Sequence, residues 1–177
     1  MAFEVVFRQL PEDFQQQQFD CGRASLNEFL WEDACGFHKY GLTHTTLVYV
    51  QGDEALAAYF SLSSDGIRLS TFEAGELGLP FDAEIKYFPA VKITKLAVAV
   101  RYQRSGLGKQ LLDAIQGLVF GDDRPIATRV LTVDAINEPD VVAFYDKFGF
   151  VEALEAARQA QGRERDTILM FKDIYAP

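Results

Sequence analysis

One stretch, residues 93–112, most constrains what this chain can fold into. An apolar, β-branched run from Ala90 to Val100 predicts a strand that is buried on both faces. A polar turn, residues 101–105, follows it, and Gly106 then opens a segment whose apolar residues recur at helical spacing: Leu107, Leu111, Leu112, Ile115 and Leu118. The sequence therefore predicts a strand that leads into a helix through a glycine-containing turn.

A turn of this kind can bind an anion. The first N–H groups of a helix have no intrahelical partner, and the helix dipole adds partial positive charge there. Gly106 and Gly108 carry no Cβ that would keep a phosphate away from the backbone, and Arg104 and Lys109 add cations. We therefore expect a phosphate-bearing ligand at this turn, with an ordinary strand–helix connection as the structural alternative.

The identity of that ligand is narrowed by the glycine spacing. A Walker motif needs glycine where Gln103 stands and Ser or Thr where Gln110 stands, and a dinucleotide fingerprint needs a third glycine at Leu111. The pattern present is Gln-x-x-Gly-x-Gly, from Gln103 to Gly108, directly after a hydrophobic strand. It resembles the pyrophosphate loop of the GNAT superfamily, the acyl-CoA-dependent N-acyltransferases.

A second motif at the matching separation strengthens this resemblance. Residues 129–135 predict a strand, Pro139 to Lys147 predict a short helix with proline in its first turn, and Tyr145 lies in Phe-Tyr-x-x-x-Gly-Phe before a C-terminal cap at Gly149. The order is similar to that of the GNAT fold. It implies a mixed α/β domain over residues 1–177, with a central, mixed, twisted sheet of about six to seven strands flanked by helices.

The resemblance also implies a chemistry. A primary amine would attack the thioester of acetyl-CoA directly in a ternary complex, with Tyr145 as the general acid for the leaving thiolate; a tyrosine that merely packs the core is the alternative. Val98 N–H would be the oxyanion donor. No metal is implied. The acetyl-CoA-binding residues implied are Leu96, Ala97, Val98, Gln103, Arg104, Ser105, Gly106, Leu107, Gly108 and Lys109.

The front half resembles one GNAT subgroup more narrowly. Phe19-Asp20-Cys21-Gly22 and Leu26-Asn27-Glu28-Phe29-Leu30 are similar to the opening of a subgroup that includes toxins of toxin–antitoxin pairs, which acetylate aminoacyl-tRNA. This implies a bacterial protein. The chain departs from the wider family at Ala99, where many members have aspartate. An asparagine that contacts the cofactor in many members has no firm match in this chain, and Asn137 is the nearest residue.

Charge bears on the acceptor. The formal net charge is −9, which argues against a nucleic-acid partner without excluding tRNA. Our first hypothesis is therefore a small-molecule or protein amine, the second is aminoacyl-tRNA, and the third is a non-catalytic acyl-CoA-binding module. Six cations are expected to gather near the turn and offset the ligand's phosphates: Lys86, Lys92, Lys95, Arg101, Arg104 and Lys109.

Composition limits the remaining classes. No run approaches about 18 apolar residues and no signal peptide is evident, so no membrane association is expected. Two cysteines and two histidines without ligand spacing predict no metal, and a cytoplasmic location is the simplest interpretation. A homodimer through the late strands is one option. The candidate general bases, none of them assigned, are Asp65, Asp134, Glu84 and His44.

The remaining elements are predicted from local patterns. Residues 3–10 predict a strand, and a capping box at Ser25 and Glu28 predicts a helix that continues towards His38 and stops before Gly41. Residues 45–50 and 55–62 predict a hairpin, which the polar residues Ser61, Ser63, Ser64 and Asp65 close. We expect irregular structure with at most a short helix over 66–89, a turn over 121–125, a loop over 155–166 and a strand over 167–171.

Overall fold

The computed structural model describes residues 2–15, 18–121 and 126–176. Its strands are β1 (Val5–Gln9), β2 (His44–Val50), β3 (Leu56–Ile67), β4 (Phe88–Val98), β5 (Val130–Ile136), β6 (Val151–Glu152) and β7 (Thr167–Asp173). The helices are α1 (Ala24–Glu28), α2 (Ala34–Lys39), α3 (Thr71–Glu76), α4 (Leu107–Val119), α5 (Pro139–Lys147) and α6 (Leu154–Gln159). A π-helical turn, Phe29–Asp33, joins α1 to α2, and a 3-10 turn, Val100–Tyr102, follows β4.

The strands form a seven-stranded sheet in the order β1-β2-β3-β4-β5-β7-β6. β1 pairs with β2, β2 with β3, β5 with β7 and β6 with β7, each antiparallel. The fold is mixed α/β, and both this class and the expected number of strands are confirmed. The chain divides into two compact units, Met1–Ser63 with Ile93–Ile115, and Ser64–Lys92 with Gln116–Pro177. That residues 1–177 form one domain stays a prediction.

Each unit has its own apolar core. In the first unit the buried side chains come from the segment before α1, from the helical stretch 24–39, and from β2, β3 and the end of β4: Phe19, Phe29, Leu30, Leu47, Leu56, Tyr59 and Ala97. In the second unit they come from the end of β3, the start of β4, β5 and β7, and the residues that follow α3 and β6: Ile67, Leu77, Phe88, Ala90, Val130, Ala153 and Phe171. Burial of these apolar side chains is the main favourable contribution to folding.

The capping box predicted at Ser25 is wrong. The helix begins at Ala24 with Arg23 as its N-cap, and no side chain caps it, so Ser25 lies within the first turn and is exposed. The helix itself is confirmed, since helical structure runs on to Lys39 and Gly41 follows with a φ of 70°. A complete capping box occurs instead at Ser70 and Glu73, where it starts α3.

Three further predictions need correction. β3 continues to Ile67, so residues 63–65 extend the strand instead of closing the hairpin at Leu62. Residues 154–159 form α6 where we expected a loop. β4 is less buried than predicted, because Val91, Leu96 and Val98 are only half-buried. Of the expected turn over 121–125, residues 122–125 lie outside the described residues. No helix in the described ranges is long and apolar enough to span a membrane.

Candidate active site

The end of β4 is fixed by hydrogen bonds to two different parts of the first unit. The Ala99 N–H donates to the Ala57 carbonyl on β3 at 2.8 Å, and the Val100 N–H donates to the Asp20 carbonyl at 2.9 Å. The 3-10 turn then carries the chain away from the strand. The backbone around Val98, which the sequence assigns to the thioester, is therefore held in one conformation on its C-terminal side.

Gln103, the first residue of the glycine motif, connects this strand end to the turn. Its side-chain Nε2 donates to the Val98 carbonyl at 2.9 Å and to the Cys21 carbonyl at 2.8 Å. Both donor hydrogens of the amide are thus used on backbone acceptors, as an amide NH2 allows. The position that a Walker motif would fill with glycine here carries a side chain that orders the loop.

The turn itself is concave. Arg104 has a φ of 57° and Gly106 a φ of 95°, so two residues separated by one position are both left-handed. Ser105, which lies between Arg104 and Gly106, donates its Oγ hydrogen to the Tyr102 carbonyl at 2.5 Å, and this hydrogen bond closes the turn. Successive N–H groups in such alternating conformations form anion-binding concavities. An ideal Cβ built on Gly106 meets no atom within 4 Å, so the space beside it is open.

Helix α4 begins directly at this turn. Its first hydrogen bond runs from the Gln110 N–H to the Gly106 carbonyl at 3.1 Å, so the N–H groups of Leu107, Gly108 and Lys109 have no intrahelical partner. The helix is 13 residues long, and its N-terminus carries partial positive charge. These N–H groups and the open side of Gly106 fit a pyrophosphate, which would be held chiefly by backbone atoms.

Two contacts anchor the turn to the rest of the first unit. The Tyr102 hydroxyl donates to Asp53 Oδ2 at 2.6 Å, and Arg101 pairs with the same carboxylate at 3.3 Å. The Tyr102 hydrogen bond is the main reason why the pKa of Asp53 lies below its usual value. On α4, the Gln110 amide accepts from the Phe3 N–H at 2.9 Å and donates to the Phe3 carbonyl at 2.6 Å.

The six cations do not act as one group. Lys92 pairs with Asp134 at 2.5 Å, Lys109 with Asp113 at 2.5 Å, and Arg101 with Asp53. Lys95 Nζ lies 5.0 Å from the centre of the Phe29 ring, and Lys86 Nζ lies 5.6 Å from that of Tyr87. Arg104 is exposed and makes no ion pair with another described residue. That these six cations offset the phosphates of a ligand stays a prediction. Three of them already pair with carboxylates, and Arg104 lies in the turn itself without an ion pair to another described residue.

Tyr145 lies in the last turn of α5, in the second unit. Tyr145 is only 7 % exposed, and its ring meets those of Phe144 and Phe150 edge-on, with centroids 5.1 and 5.4 Å away. Burial raises the pKa of the Tyr145 phenol. The Tyr145 hydroxyl donates to no atom of another described residue. Its oxygen is not fully enclosed by the protein. The side chain therefore holds its proton firmly and has a hydroxyl free to donate it.

The candidate bases are mostly engaged elsewhere. Asp65 accepts hydrogen bonds from the Thr132 hydroxyl at 2.6 Å and from the Gly66 N–H, while Asp134 pairs with Lys92. The His44 ring lies 4.7 Å from that of His38, and burial, followed by this neighbour, lowers the pKa of His44. Glu84 is exposed.

Asn137 also has a structural role. Its Nδ2 donates to the Arg165 carbonyl at 2.8 Å, and its N–H donates to the Asp166 carbonyl. No group of three His, Cys, Asp or Glu side chains in the described ranges could hold a metal ion. A direct attack by an amine that is already partly neutral needs neither a metal nor a strong base.

All ten predicted acetyl-CoA-binding residues thus lie in the first unit, at the end of β4 and in the turn into α4, and Tyr145 lies in the second. The mixed α/β fold, with a glycine-containing turn between β4 and α4, is GNAT-like. Residues 83–164 match the family model described as acetyltransferase (GNAT) domain. This match covers just under half of the chain and agrees with the family that the sequence motifs indicated.

Several solved structures are similar to nearly the whole chain. A mutant of KacT in which one tyrosine is replaced by phenylalanine has a TM-score of 0.74 and 22% identity, over 96% of this chain and 95% of that chain. A Tyr-to-Phe mutant of the toxin AtaT, bound to acetyl-CoA and to the C-terminus of the antitoxin AtaR, has a TM-score of 0.70 and 20% identity, over 97% and 94% of the two chains.

A third structure is AtaT complexed with acetyl-methionyl-tRNAfMet. Its TM-score is 0.71, with 20% identity over 94% of each chain. At this level of identity, the likeness establishes a shared fold.

Proposed function

We propose that this protein is an acetyl-CoA-dependent N-acetyltransferase whose acceptor is the α-amino group of an aminoacyl-tRNA. The observation that carries the first part is the concave turn, in which left-handed Arg104 and Gly106 precede three N–H groups of α4 that lack helical partners. The GNAT match and the acetyl-CoA complex of AtaT support the same donor.

The acceptor is the finer part of the proposal. The sequence ranked a small-molecule or protein amine first, but similar structures that cover over nine-tenths of both chains favour the second hypothesis. The chemistry agrees, because an α-amine with a pKa of about 7.7–8.0 is partly neutral at pH 7, whereas a lysine amine at about 10.4 is not. An enzyme without an assigned base is better suited to the α-amine.

Each residue has a defined task in the proposed reaction. Acetyl-CoA supplies a thioester whose carbonyl carbon is open to an amine. The Val98 N–H stabilises the negative charge that develops on the carbonyl oxygen, and residues 103–109 bind the pyrophosphate. As the carbon–nitrogen bond forms and the carbon–sulfur bond breaks, Tyr145 gives its proton to the departing sulfur and the amine loses one to solvent. The Tyr145 phenolate then regains a proton from solvent.

The net charge of −9 favours a competing acceptor. An acidic protein repels the phosphates of RNA unless local cations offset them, and most cations near the turn are already paired with carboxylates. A small-molecule or protein amine is therefore the second candidate, and the experiment must separate the two.

Labelled acetyl-CoA added to a cell lysate distinguishes these acceptors. After incubation with the protein, the label is separated into RNA, protein and small-molecule fractions, with Tyr145→Phe as the matched control. Label in RNA that alkaline hydrolysis of the ester releases as an N-acetyl amino acid supports the proposal. Label confined to protein or small molecules moves the acceptor to the second candidate. Equal label with wild type and control in every fraction contradicts an acetyltransferase that depends on Tyr145.

A further inference from the structure

Residues 20–22 form a short segment whose own side chains and backbone are tightly hydrogen-bonded. The Asp20 carboxylate accepts the Gly22 N–H at 2.7 Å and the Asn27 Nδ2 at 2.8 Å. Asn27 Oδ1 accepts the Cys21 N–H at 3.0 Å and the Cys21 thiol at 3.1 Å. Asn27 is 7 % exposed, and both polar ends of its side chain are used on this segment.

This arrangement does not serve helix α1, although Asn27 belongs to it. No side chain caps the helix, and asparagine is a poor residue for a helix interior. A buried amide is costly unless it is hydrogen-bonded, so Asn27 has a favourable role only with the 20–22 segment in place. The side chain therefore orders a loop and contributes nothing to the helix hydrogen bonds.

The segment in turn holds the end of β4. The Asp20 carbonyl accepts the Val100 N–H at 2.9 Å, and the Cys21 carbonyl accepts Gln103 Nε2 at 2.8 Å. The same Nε2 holds the Val98 carbonyl. Gly22 has a φ of 75°, and a Cβ there would contact Val100 Cγ2 at 3.5 Å, so this backbone passes close beside the strand end.

We propose that Asp20 and Asn27 are positioning residues for acetyl-CoA, acting through Gln103 and the end of β4. The peptide that joins Val98 to Ala99 is fixed at its carbonyl by Gln103 and at its N–H by the Ala57 carbonyl. Gln103 also begins the pyrophosphate turn. Loss of the Asp20–Asn27 pair therefore releases the carbonyl that orients Gln103 and loosens the backbone on which the ligand lies. This inference rests on the proposed function.

The test compares two variants of neighbouring contacts to the same helix. Asn27→Ala removes the amide that orders the 20–22 segment. Tyr59→Phe is the matched control, because it removes only the hydroxyl that donates to the Leu26 carbonyl at 2.6 Å, one residue before Asn27. The dissociation constant of CoA by calorimetry, kcat and KM for acetyl-CoA, and the urea midpoint are measured for both.

We expect Asn27→Ala to raise the dissociation constant of CoA and KM for acetyl-CoA about tenfold, which corresponds to about 1.4 kcal/mol. Tyr59→Phe should lower the urea midpoint with less than about a twofold change in either constant. Equal constants for Asn27→Ala and Tyr59→Phe would make the segment purely structural and overturn the inference.

A charge swap keeps the test decisive if Asn27→Ala folds poorly. Asp20→Asn alone weakens the pair, and Asn27→Asp alone places two carboxylates side by side. Combined in one chain, they restore an amide–carboxylate pair with the direction of its hydrogen bond reversed. Recovery of CoA affinity in the double variant supports positioning, and additive losses oppose it. Wild-type binding and turnover, measured in parallel, test the proposed function separately.

Discussion

The Glu73 carboxylate accepts a hydrogen bond from the backbone N–H of Leu154, the first residue of α6, at 2.7 Å. Its other oxygen accepts the Ser70 N–H at 2.7 Å and completes the capping box of α3. Glu73 is 5 % exposed. One buried side chain therefore satisfies N–H groups at the starts of two helices, although Leu154 is 81 residues from Glu73 in sequence.

Replacement of Glu73 by alanine should destabilise the second unit strongly. Two buried N–H groups would lose a charged acceptor, and an unsatisfied group of this kind costs about 1–3 kcal/mol. We expect a loss of about 2–4 kcal/mol in the free energy of unfolding by urea. Ser70→Ala, which removes one cap bond, should cost about 1 kcal/mol. Equal losses for the two variants would show that the bond to Leu154 contributes nothing.

Tyr145→Phe should abolish most turnover while leaving the fold intact. The Tyr145 hydroxyl makes no hydrogen bond to another described residue, so only its proton is lost. General acid catalysis typically contributes about 10²–10⁴-fold, and we expect kcat to fall within that range with little change in KM. Steady-state kinetics and a urea titration of the same preparation check this. A fall in kcat that follows a loss of stability would assign Tyr145 to packing.

The raised pKa of Tyr145 also fixes the expected pH profile. A phenol with an ordinary pKa of about 10 keeps its proton at pH 7, and burial moves that pKa upwards, so the acid form persists at still higher pH. Activity of the wild type should therefore show no loss assignable to this group between pH 7 and about pH 10. A descending limb near pH 8 that disappears in a Tyr145→Phe variant with residual activity would contradict the raised pKa of Tyr145.

Arg104 and Lys109 allow a matched comparison of two cations that could bind the pyrophosphate. Both are exposed cations of the turn, but Lys109 is paired with Asp113, whereas Arg104 has no ion pair among the described residues. Arg104→Gln should therefore weaken acetyl-CoA binding by about three- to tenfold, and Lys109→Gln by less. Calorimetry at low and high salt measures both, since an exposed charge loses its effect as salt rises. A larger loss of acetyl-CoA affinity in Lys109→Gln than in Arg104→Gln would show that Lys109, not Arg104, makes the stronger contact with the pyrophosphate.

The sequence predicted the elements whose signals are local. The β4–turn–α4 stretch, the hairpin of β2 and β3, and α5 with Pro139 at its start all follow from spacing of apolar residues and from proline and glycine positions. The short helix α6 was missed because a charged segment with few apolar residues resembles a loop. The capping box was assigned to Ser25 because the spacing Ser-x-x-Glu occurs twice, and only tertiary structure selects Ser70.

The long-range hydrogen bonds that hold the candidate site in place could not be predicted from local patterns. Asp53 holds Tyr102 across 49 residues, and Cys21 holds Gln103 across 82. These hydrogen bonds depend on how distant segments meet, and neither partner has a pattern that indicates the other. The motifs did indicate which backbone would bind the ligand, because a glycine turn at a helix start has the same geometry in any fold.

Acid should weaken the first unit through two carboxylates. The pKa of Asp20 is lowered mainly by the Gly22 N–H and then by Asn27, and that of Asp53 mainly by the Tyr102 hydroxyl. A carboxylate with a depressed pKa contributes stability above its unfolded value of about 3.9, and this is lost as the pH falls through the folded value. Urea midpoints between pH 6 and about pH 3 should therefore fall less steeply for Asp20→Asn with Asp53→Asn than for wild type. If the urea midpoints of wild type and variant fall in parallel with pH, Asp20 and Asp53 do not contribute to the loss of stability in acid.

The two cysteines should differ in reactivity. Cys21 is 7 % exposed, its thiol donates to Asn27 Oδ1, and burial raises its pKa, so little thiolate is present near neutral pH. Cys35 is half-buried and lines a cleft of about 300 Å³ together with His38 and Lys39. A chromogenic disulfide reagent at pH 8 should therefore modify one thiol quickly, and Cys35→Ser should remove that fast phase. The slow thiol should react in urea at the rate of unfolding. Because Asn27→Ala frees the 20–22 segment, which contains Cys21, it should accelerate the slow phase in native buffer, whereas Tyr59→Phe should leave it unchanged.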